Sequence, residues 1–441
     1  MNALMGRHLA LPGRQGPVTG RLRPPGDKSI SHRALLLAAL AEGRSELRNL
    51  SAGLDVAHTR DAMATCGAAV SGALGAGGVL SVLGGRSRLR EPAAVIDVGN
   101  SGTAIRLLAG WSAAFPWLTV LQGDGSIATR PMARVTEPLR AMGARIDGRD
   151  GGRFPPLVVR GGQLTGIDYR LPVPSAQVKA AILLAGLSAA GHTTVREDIP
   201  TRAHTEELLA RCGADISVTP GSAAGAQAVT VRPSPVNPLD LTVPADPSQA
   251  AFWVVAACVV PGSDLVVEDV YVGPARAGFL DVLRRMGADV ALERPDAGRH
   301  TADIHARYRP LTGTWVGGDE VPAVIDEIPV LAVAAARATG DTVFADAAEL
   351  RVKESDRVAS TVGALSALGA RAEGRADGLV VHGAGDRPLS GGTVDSRGDH
   401  RIAMAAAVAA IDATGPTVVA GWDSVATSYP GFEEDLHRCV S

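Results

Sequence analysis

Cations placed where helices begin are the first feature of this sequence that points to chemistry. Lys28 precedes an Ala/Leu-rich helical run with Arg33 one turn inside it, and Arg401 sits beside His400 at the head of another such run. The positive end of a helix dipole disfavours a cation at such a position by ~0.3–1 kcal/mol, so an anion is expected there to offset it. A cation beside the free N–H groups of a first helical turn supplies both elements of a phosphate site. In Arg351-Val352-Lys353-Glu354-Ser355-Asp356-Arg357, Lys353 and Arg357 stand at i and i+4 and would repel on one helix face unless an anion lay between them. Glu349, Glu354 and Asp356 offer the alternative of a solvated salt-bridge surface. The turn Asn100-Ser101-Gly102-Thr103 offers backbone amides and small side chains ahead of an apolar helix, which suits close approach of an oxyanion. Asp326-Glu327 heads a further helix, where a carboxylate can serve as a cap or in proton transfer.

The elements that must position these residues repeat along the chain. An Ala/Leu-rich helical run followed by Gly and a strand-like segment begins near Ser31, Thr103, Gln177, Gln249, Glu327 and Asp399, at a spacing of about 70 to 80 residues that suits a two-helix supersecondary unit. A second helix recurs with it and ends in Gly-Ala before a short strand, as in the segments from Thr59, Val135, Thr205, Phe279 and Thr361; the sixth is expected to be shortened to Phe432-Glu433-Glu434-Asp435-Leu436-His437-Arg438-Cys439-Val440. Each first helix opens on a capping-type residue: Asp27 or Ser29, Asn100 or Ser101, Ser175, Asp246 or Ser248, Asp326, and Asp399. Alternating helices and strands argue for α/β layers, and the 3% aromatic content suggests helices packed closely through small side chains. The Pro-rich joints Arg23-Pro24-Pro25-Gly26 and Val243-Pro244-Ala245-Asp246-Pro247 divide the six copies into two lobes of three. Lobe one is expected over 27–242, and lobe two over 1–26 plus 243–441.

Composition excludes several classes of function. The 441 residues carry a net charge of −3, so a bound anion must be held by a local constellation, and nucleic acid is not an expected partner. Cys66, Cys212, Cys258 and Cys439 lie far apart without metal-ligand spacing and are expected to be buried thiols in a reducing compartment. The residues before Arg23 lack the continuous apolar segment of a signal peptide, which predicts a cytoplasmic protein. Apolar runs such as 250–260 are shorter than the ~20 residues of a membrane span.

Together these motifs resemble the enolpyruvyl transferase family, over essentially the whole chain, and within it the branch that acts on shikimate 3-phosphate. Pro25-Gly26-Asp27-Lys28-Ser29-Ile30-Ser31-His32-Arg33 resembles that branch's first substrate motif, and Gly99-Asn100-Ser101-Gly102-Thr103-Ala104-Ile105-Arg106 its phosphoenolpyruvate loop. Arg130 in Ala128-Thr129-Arg130-Pro131-Met132, Ser175-Ala176-Gln177, Thr201-Arg202, Asp326-Glu327, Lys353 to Arg357 and Asp399-His400-Arg401 continue the pattern. The resemblance implies an α/β fold of two lobes, each built from three repeated units with inward-packed helices, and an active site in the cleft between them. It implies phosphoenolpyruvate held by Lys28, Asn100, Gly102, Arg130, Gln177, Arg357 and Arg401, and shikimate 3-phosphate held by Ser29, Arg33, Ser175, Ala176, Gln177, Arg202, Asp326 and Lys353. Lys28, Asp326 and Glu354 take the catalytic roles, with Asp326 orienting or deprotonating the attacking hydroxyl and Glu354 exchanging protons with the reacting methylene.

The same resemblance implies an enzyme of the shikimate pathway, which serves aromatic amino acid biosynthesis, acting as a monomer with no cofactor, no metal and no covalent intermediate, and inhibited by glyphosate. The sequence departs from one branch at Thr427, where that branch has a lysine, and at Ala176, where only the backbone can replace a serine. The sister transferase that acts on UDP-N-acetylglucosamine is a rival reading. Its loop acid would align at Gly125 beside Asp124, and its substrate motif lacks the Lys28, Ser29 and Arg33 spacing. A phosphometabolite-binding protein without catalysis is the other rival, against which Lys28, Asp326 and Glu354 stand.

Overall fold

The computed structural model describes residues 6–223 and 225–440. The chain divides into two compact units, one of them Gly26–Val243, the other the N-terminal segment up to Pro25 together with the residues from Pro244 onward.

Within Gly26–Val243 one α/β arrangement is built three times. Each copy has a first helix, Lys28–Leu40, Gly102–Ala113 or Ala176–Gly186, and a second, Leu54–Thr65, Ala133–Ala141 or His204–Arg211. Each also has a four-stranded sheet, in which one parallel pairing is followed by two antiparallel ones. Asp240–Thr242 runs parallel to Gly43–Arg48, Ile96–Asp97 to Leu118–Gln122, and Asp168–Arg170 to Thr193–Glu197. The strand Asp240–Thr242 comes from the far end of the unit, so the first sheet is completed by the last residues. Buried and exposed positions alternate in strands such as Val79–Gly84, which places one sheet face on the helices and the other in water.

The first helices are apolar on nearly every side and are therefore buried on nearly every side. Gly110 shows how closely they pack: a Cβ there would lie 2.2 Å from the Ala181 carbonyl oxygen, so Gly102–Ala113 and Ala176–Gly186 meet backbone to backbone. The Gly-Ala pairs after the second helices mark left-handed C-termini. Gly67, Gly143 and Gly213 have φ of 104°, 107° and 72°, as do Gly287 and Gly369 of the other unit at 90° and 79°, a conformation that glycine reaches without a Cβ penalty.

In the second unit, the first helices are Pro247–Val259, Ile328–Ala336 and His400–Ala410, with Phe279–Arg285, Arg357–Ala367 and Phe432–Cys439 as their companions. Every residue of Pro247–Val259 is buried, and Trp253 stacks on Phe432 with ring centroids 4.9 Å apart. Thr19–Leu22 runs parallel to Asp264–Tyr271, and Leu311–Thr312 to Ala338–Phe344. The sixth sheet differs. Thr393–Asp395 and Thr417–Ala420 are parallel as elsewhere, but His8–Leu11 occupies the antiparallel position that a hairpin strand takes in the other five. The shortened sixth copy seen in the sequence is thus completed by the N-terminal strand.

Candidate active site

The capping expected from sequence holds at five of the six first helices. Asp27 accepts from Ile30 N, Ser101 from Ala104 N, Ser175 from Val178 N, Asp246 from Ser248 N and Asp399 from Arg401 N. The assignment for the fifth is corrected: Ile328–Ala336 is flanked by Glu327 with no side-chain cap, and Asp326 lies one residue further out. A carboxylate released from capping is available to cations, and Asp326 Oδ1 lies 3.3 Å from Arg357 Nη1 and 3.6 Å from Lys353 Nζ.

In the unit Gly26–Val243 three helix heads are tied together by the residues singled out above. Arg33 is 1% exposed. It donates from Nη1 to the Ser29 hydroxyl (2.6 Å) and carbonyl (3.0 Å), from Nε to Thr205 Oγ1 (2.7 Å) and from Nη2 to the Ala176 carbonyl (3.2 Å). Gln177, the next residue after Ala176, reaches the other way: its amide donates to Thr103 Oγ1 (2.9 Å) and its Oε1 accepts from Arg106 Nη1 (2.7 Å). Arg106 also donates to the Gly102 carbonyl at 3.1 Å. Arg130 Nη2 donates to Asn100 Oδ1 at 3.3 Å, and the Asn100 amide donates to Asp124 Oδ2 at 2.6 Å. A Cβ at Gly102 would lie 2.5 Å from Arg130 Nη1 and 3.0 Å from Arg106 Nη1, so the glycine is the floor on which two guanidinium groups meet.

Lys28 completes this group from the head of its helix, its Nζ 2.9 Å from the buried Asp55 carboxylate. His32, behind Lys28 and Arg33, is held well below the usual imidazole pKa by burial and then by the cations Lys28 and Arg33. It is therefore neutral and adds no charge, and its Nδ1 lies 2.7 Å from Thr59 Oγ1. Arg202 is half-buried on the segment between Thr193–Glu197 and His204–Arg211.

The second unit makes a different electrostatic arrangement from similar parts. Arg357, 1% exposed, donates from Nε to Asp399 Oδ2 (2.8 Å) and pairs with Glu354 through Nη2 and with Asp326 through Nη1. Burial opposes its charge, but Asp399, Glu354 and Asp326 outweigh that penalty and hold the guanidinium pKa above its ordinary value. Arg401 Nη1 donates to the Asp326 carbonyl at 2.7 Å and stands 3.6 Å from Glu327 Oε1. Burial pulls the Lys353 ammonium below the usual lysine range, against the opposing pull of Asp326 and Glu349.

The repulsion expected between Lys353 and Arg357 on a helix face does not arise. The helix begins at Arg357, capped by Asp356 accepting from Ala359 N, and Lys353 lies before it in extended backbone. Lys353, Arg357 and Arg401 stand among the carboxylates Asp326, Glu327, Glu354 and Asp399, with Glu327 shared with Arg276, whereas Lys28, Arg33, Arg106 and Arg130 of the other unit outnumber Asp55 and Asp124. Thr427, where the lysine of one branch is missing, has its hydroxyl 3.3 Å from His400 Nδ1.

Arg106 and Asp55 were not assigned roles from sequence, and Asp399 was read only as a helix cap, not as the partner of Arg357. Arg106 stood inside the quoted loop motif, and its placement four residues after Gly102 on a helix gave the available signal. Among the described residues no cluster of His, Cys, Asp and Glu is arranged to hold a metal ion, and no helix is long and apolar enough to cross a membrane. The four cysteines are buried, and burial raises the thiols of Cys66, Cys212 and Cys258 to about 12.

The repeated α/β architecture is shared with solved enolpyruvyl transferases. The enolpyruvyl transferase NikO from Streptomyces tendae shares the fold at a TM-score of 0.74 and 19% identity, with 98% of each chain covered. Residues 13–436 match the family described as EPSP synthase (3-phosphoshikimate 1-carboxyvinyltransferase), and the chain belongs to that family. A 3-phosphoshikimate 1-carboxyvinyltransferase from Gloeobacter violaceus is 49% identical over 425 residues, 96% of each chain. The EPSP synthase structure from Acinetobacter baumannii matches at a TM-score of 0.85 and 38% identity, covering 99% of this chain and 98% of that one.

Proposed function

We infer that this chain transfers the enolpyruvyl group of phosphoenolpyruvate to the 5-hydroxyl of shikimate 3-phosphate. The observation that carries this reading is the head of Ala176–Gly186, where successive residues connect Arg33 and Ser29 on one side with Arg106 and the Asn100 to Thr103 turn on the other. Two anionic substrates can be held side by side by groups fixed in one hydrogen-bonded set, which offsets their mutual repulsion and supplies orientation. In this proposal Ser29, Arg33, Ser175, the Ala176 backbone, Gln177, Arg202, Asp326 and Lys353 hold shikimate 3-phosphate. Lys28, Asn100, Gly102, Arg130, Gln177, Arg357 and Arg401 hold phosphoenolpyruvate.

The reaction is an addition followed by an elimination. The 5-hydroxyl oxygen bonds to C2 of phosphoenolpyruvate while C3 takes a proton and becomes a methyl group, and the hydroxyl proton passes to a base. The tetrahedral adduct then loses phosphate from C2 and a proton from the methyl group, restoring the double bond. Asp326 is proposed to receive the hydroxyl proton and Glu354 to exchange the C3 proton, with Lys28 stabilising the departing phosphate. The proposal includes a monomer in the cytoplasm, in keeping with four buried thiols. Phosphate release from phosphoenolpyruvate with shikimate 3-phosphate or UDP-N-acetylglucosamine as acceptor tests it: the first is expected to support turnover and the second is not.

Gly102→Ala would place its Cβ against Arg130 and Arg106, displacing those guanidinium groups and narrowing the space above the turn. An inhibitor slightly longer than phosphoenolpyruvate, such as glyphosate, should suffer more than the substrate. The glyphosate inhibition constant is expected to rise by a larger factor than the phosphoenolpyruvate KM when both are measured at one salt concentration. Equal factors would show that Gly102 does not discriminate between the two ligands.

A further inference from the structure

We propose that Lys179 is a positioning residue for shikimate 3-phosphate, acting through the segment that carries Arg202 and through the helix head that holds Arg33. The inference rests on the reading of Arg33 and Arg202 as ligands of that substrate. Lys179 lies in the first turn of Ala176–Gly186, and its side chain is 0% exposed. Its ammonium group donates to Glu197 Oε2 (2.8 Å) at the end of Thr193–Glu197, to Glu206 Oε1 (2.6 Å) in the first turn of His204–Arg211, and to the Thr201 carbonyl (3.3 Å). Glu197 in turn accepts from Thr201 N at 3.2 Å, from the Thr201 hydroxyl, and from the Gln227 amide at 2.6 Å. The residue on one side of Arg202 is thus fixed at three of its polar groups.

The same clasp reaches Arg33. Thr205, the neighbour of Glu206, accepts from Arg33 Nε, and the Ala176 carbonyl, three residues before Lys179, accepts from Arg33 Nη2. Lys179 therefore joins the helix beneath one end of Arg33 to the helix head beneath the other. Stability alone does not account for such a group. Burying one ammonium with two carboxylates carries a desolvation penalty that apolar side chains of similar volume would avoid, and burial raises the Glu206 pKa despite the opposing ammonium. Among the described residues Glu206 Oε2 has no hydrogen-bond partner. What the cluster provides that apolar packing would not is fixed direction at six hydrogen bonds behind two substrate ligands.

The test uses two variants of the full chain. Lys179→Met combined with Glu197→Gln and Glu206→Gln removes every charge of the cluster and leaves no buried ion unpaired, and Glu206→Gln alone preserves shape while weakening the tie to His204–Arg211. With the weakening of one hydrogen bond to a charged substrate worth on the order of tenfold in affinity, the triple variant should raise the shikimate 3-phosphate KM about tenfold and the single variant roughly threefold, while the phosphoenolpyruvate KM stays within about twofold. Thermal melting of both variants reports packing separately. If the two KM values move together, or if Glu206→Gln folds and changes neither, Lys179 serves packing alone and the proposal is overturned. An unmodified enzyme that does not turn over with shikimate 3-phosphate would instead overturn the substrate reading beneath it.

Discussion

Glu354→Gln should lower kcat by about 10²–10⁴-fold, the range in which a positioned acid or base acts, with little change in the KM for either substrate. Glutamine can still accept from Arg357 Nη2, which Glu354 contacts now, so the cationic group keeps its shape while the proposed proton-transfer group is lost. Arg401→Ala makes the contrast. Its Nη1 holds the Asp326 carbonyl, and its removal should raise the phosphoenolpyruvate KM with a smaller effect on kcat. Single-turnover rates and the two KM values separate these outcomes. Normal turnover in the glutamine variant would exclude Glu354 as an essential acid or base.

Arg357→Met should be the most destabilising change in the site. Three carboxylates lose their common partner, but they do not lose equally. Asp326 and Glu354 keep side-chain exposures of 16% and can turn to water, whereas Asp399 has 0%. An uncompensated buried charge of that kind costs about 3–5 kcal/mol, which corresponds to a fall in Tm of roughly 10 °C. Asp399→Asn in the same chain should recover part of the loss, because asparagine caps His400–Ala410 as well as aspartate does. The phosphoenolpyruvate KM should stay high in both variants. Thermal melts decide the matter: a double variant no more stable than the single one would show that the Arg357–Asp399 pair is not the source of the cost.

The repeated helices and their Gly-Ala ends were legible because their signals are local. A left-handed glycine after a helix, a run without polar residues and a cap three positions before an amide all lie within a few residues of one another. The same locality explains the two misreadings. Asp326 stands one residue outside the position that a cap requires, and only the neighbouring Arg357, 31 residues away in sequence, shows what its carboxylate does. The helical i, i+4 relation of Lys353 and Arg357 failed because Asp356 caps the helix between them.

The resemblance brought the ligand-type residues together, but the groups that hold them came only from the fold. Arg357 and Asp399 are separated by 42 residues, and Lys179 and Glu206 by 27. Neither pair follows a helical or strand period that a sequence pattern could display. Arg106 was closer to reach, since a helix places it over Gly102, yet its second partner, Gln177, lies 71 residues on.

In the proposed reaction phosphoenolpyruvate is consumed because the 5-hydroxyl of shikimate 3-phosphate attacks it. Phosphate release from phosphoenolpyruvate, followed with shikimate 3-phosphate present and absent, tests this most directly. Release is predicted only in the presence of shikimate 3-phosphate, with one phosphate formed for each molecule of acceptor converted to its enolpyruvyl ether. Release at the same rate without the acceptor, or binding of both substrates with no release at all, would contradict it.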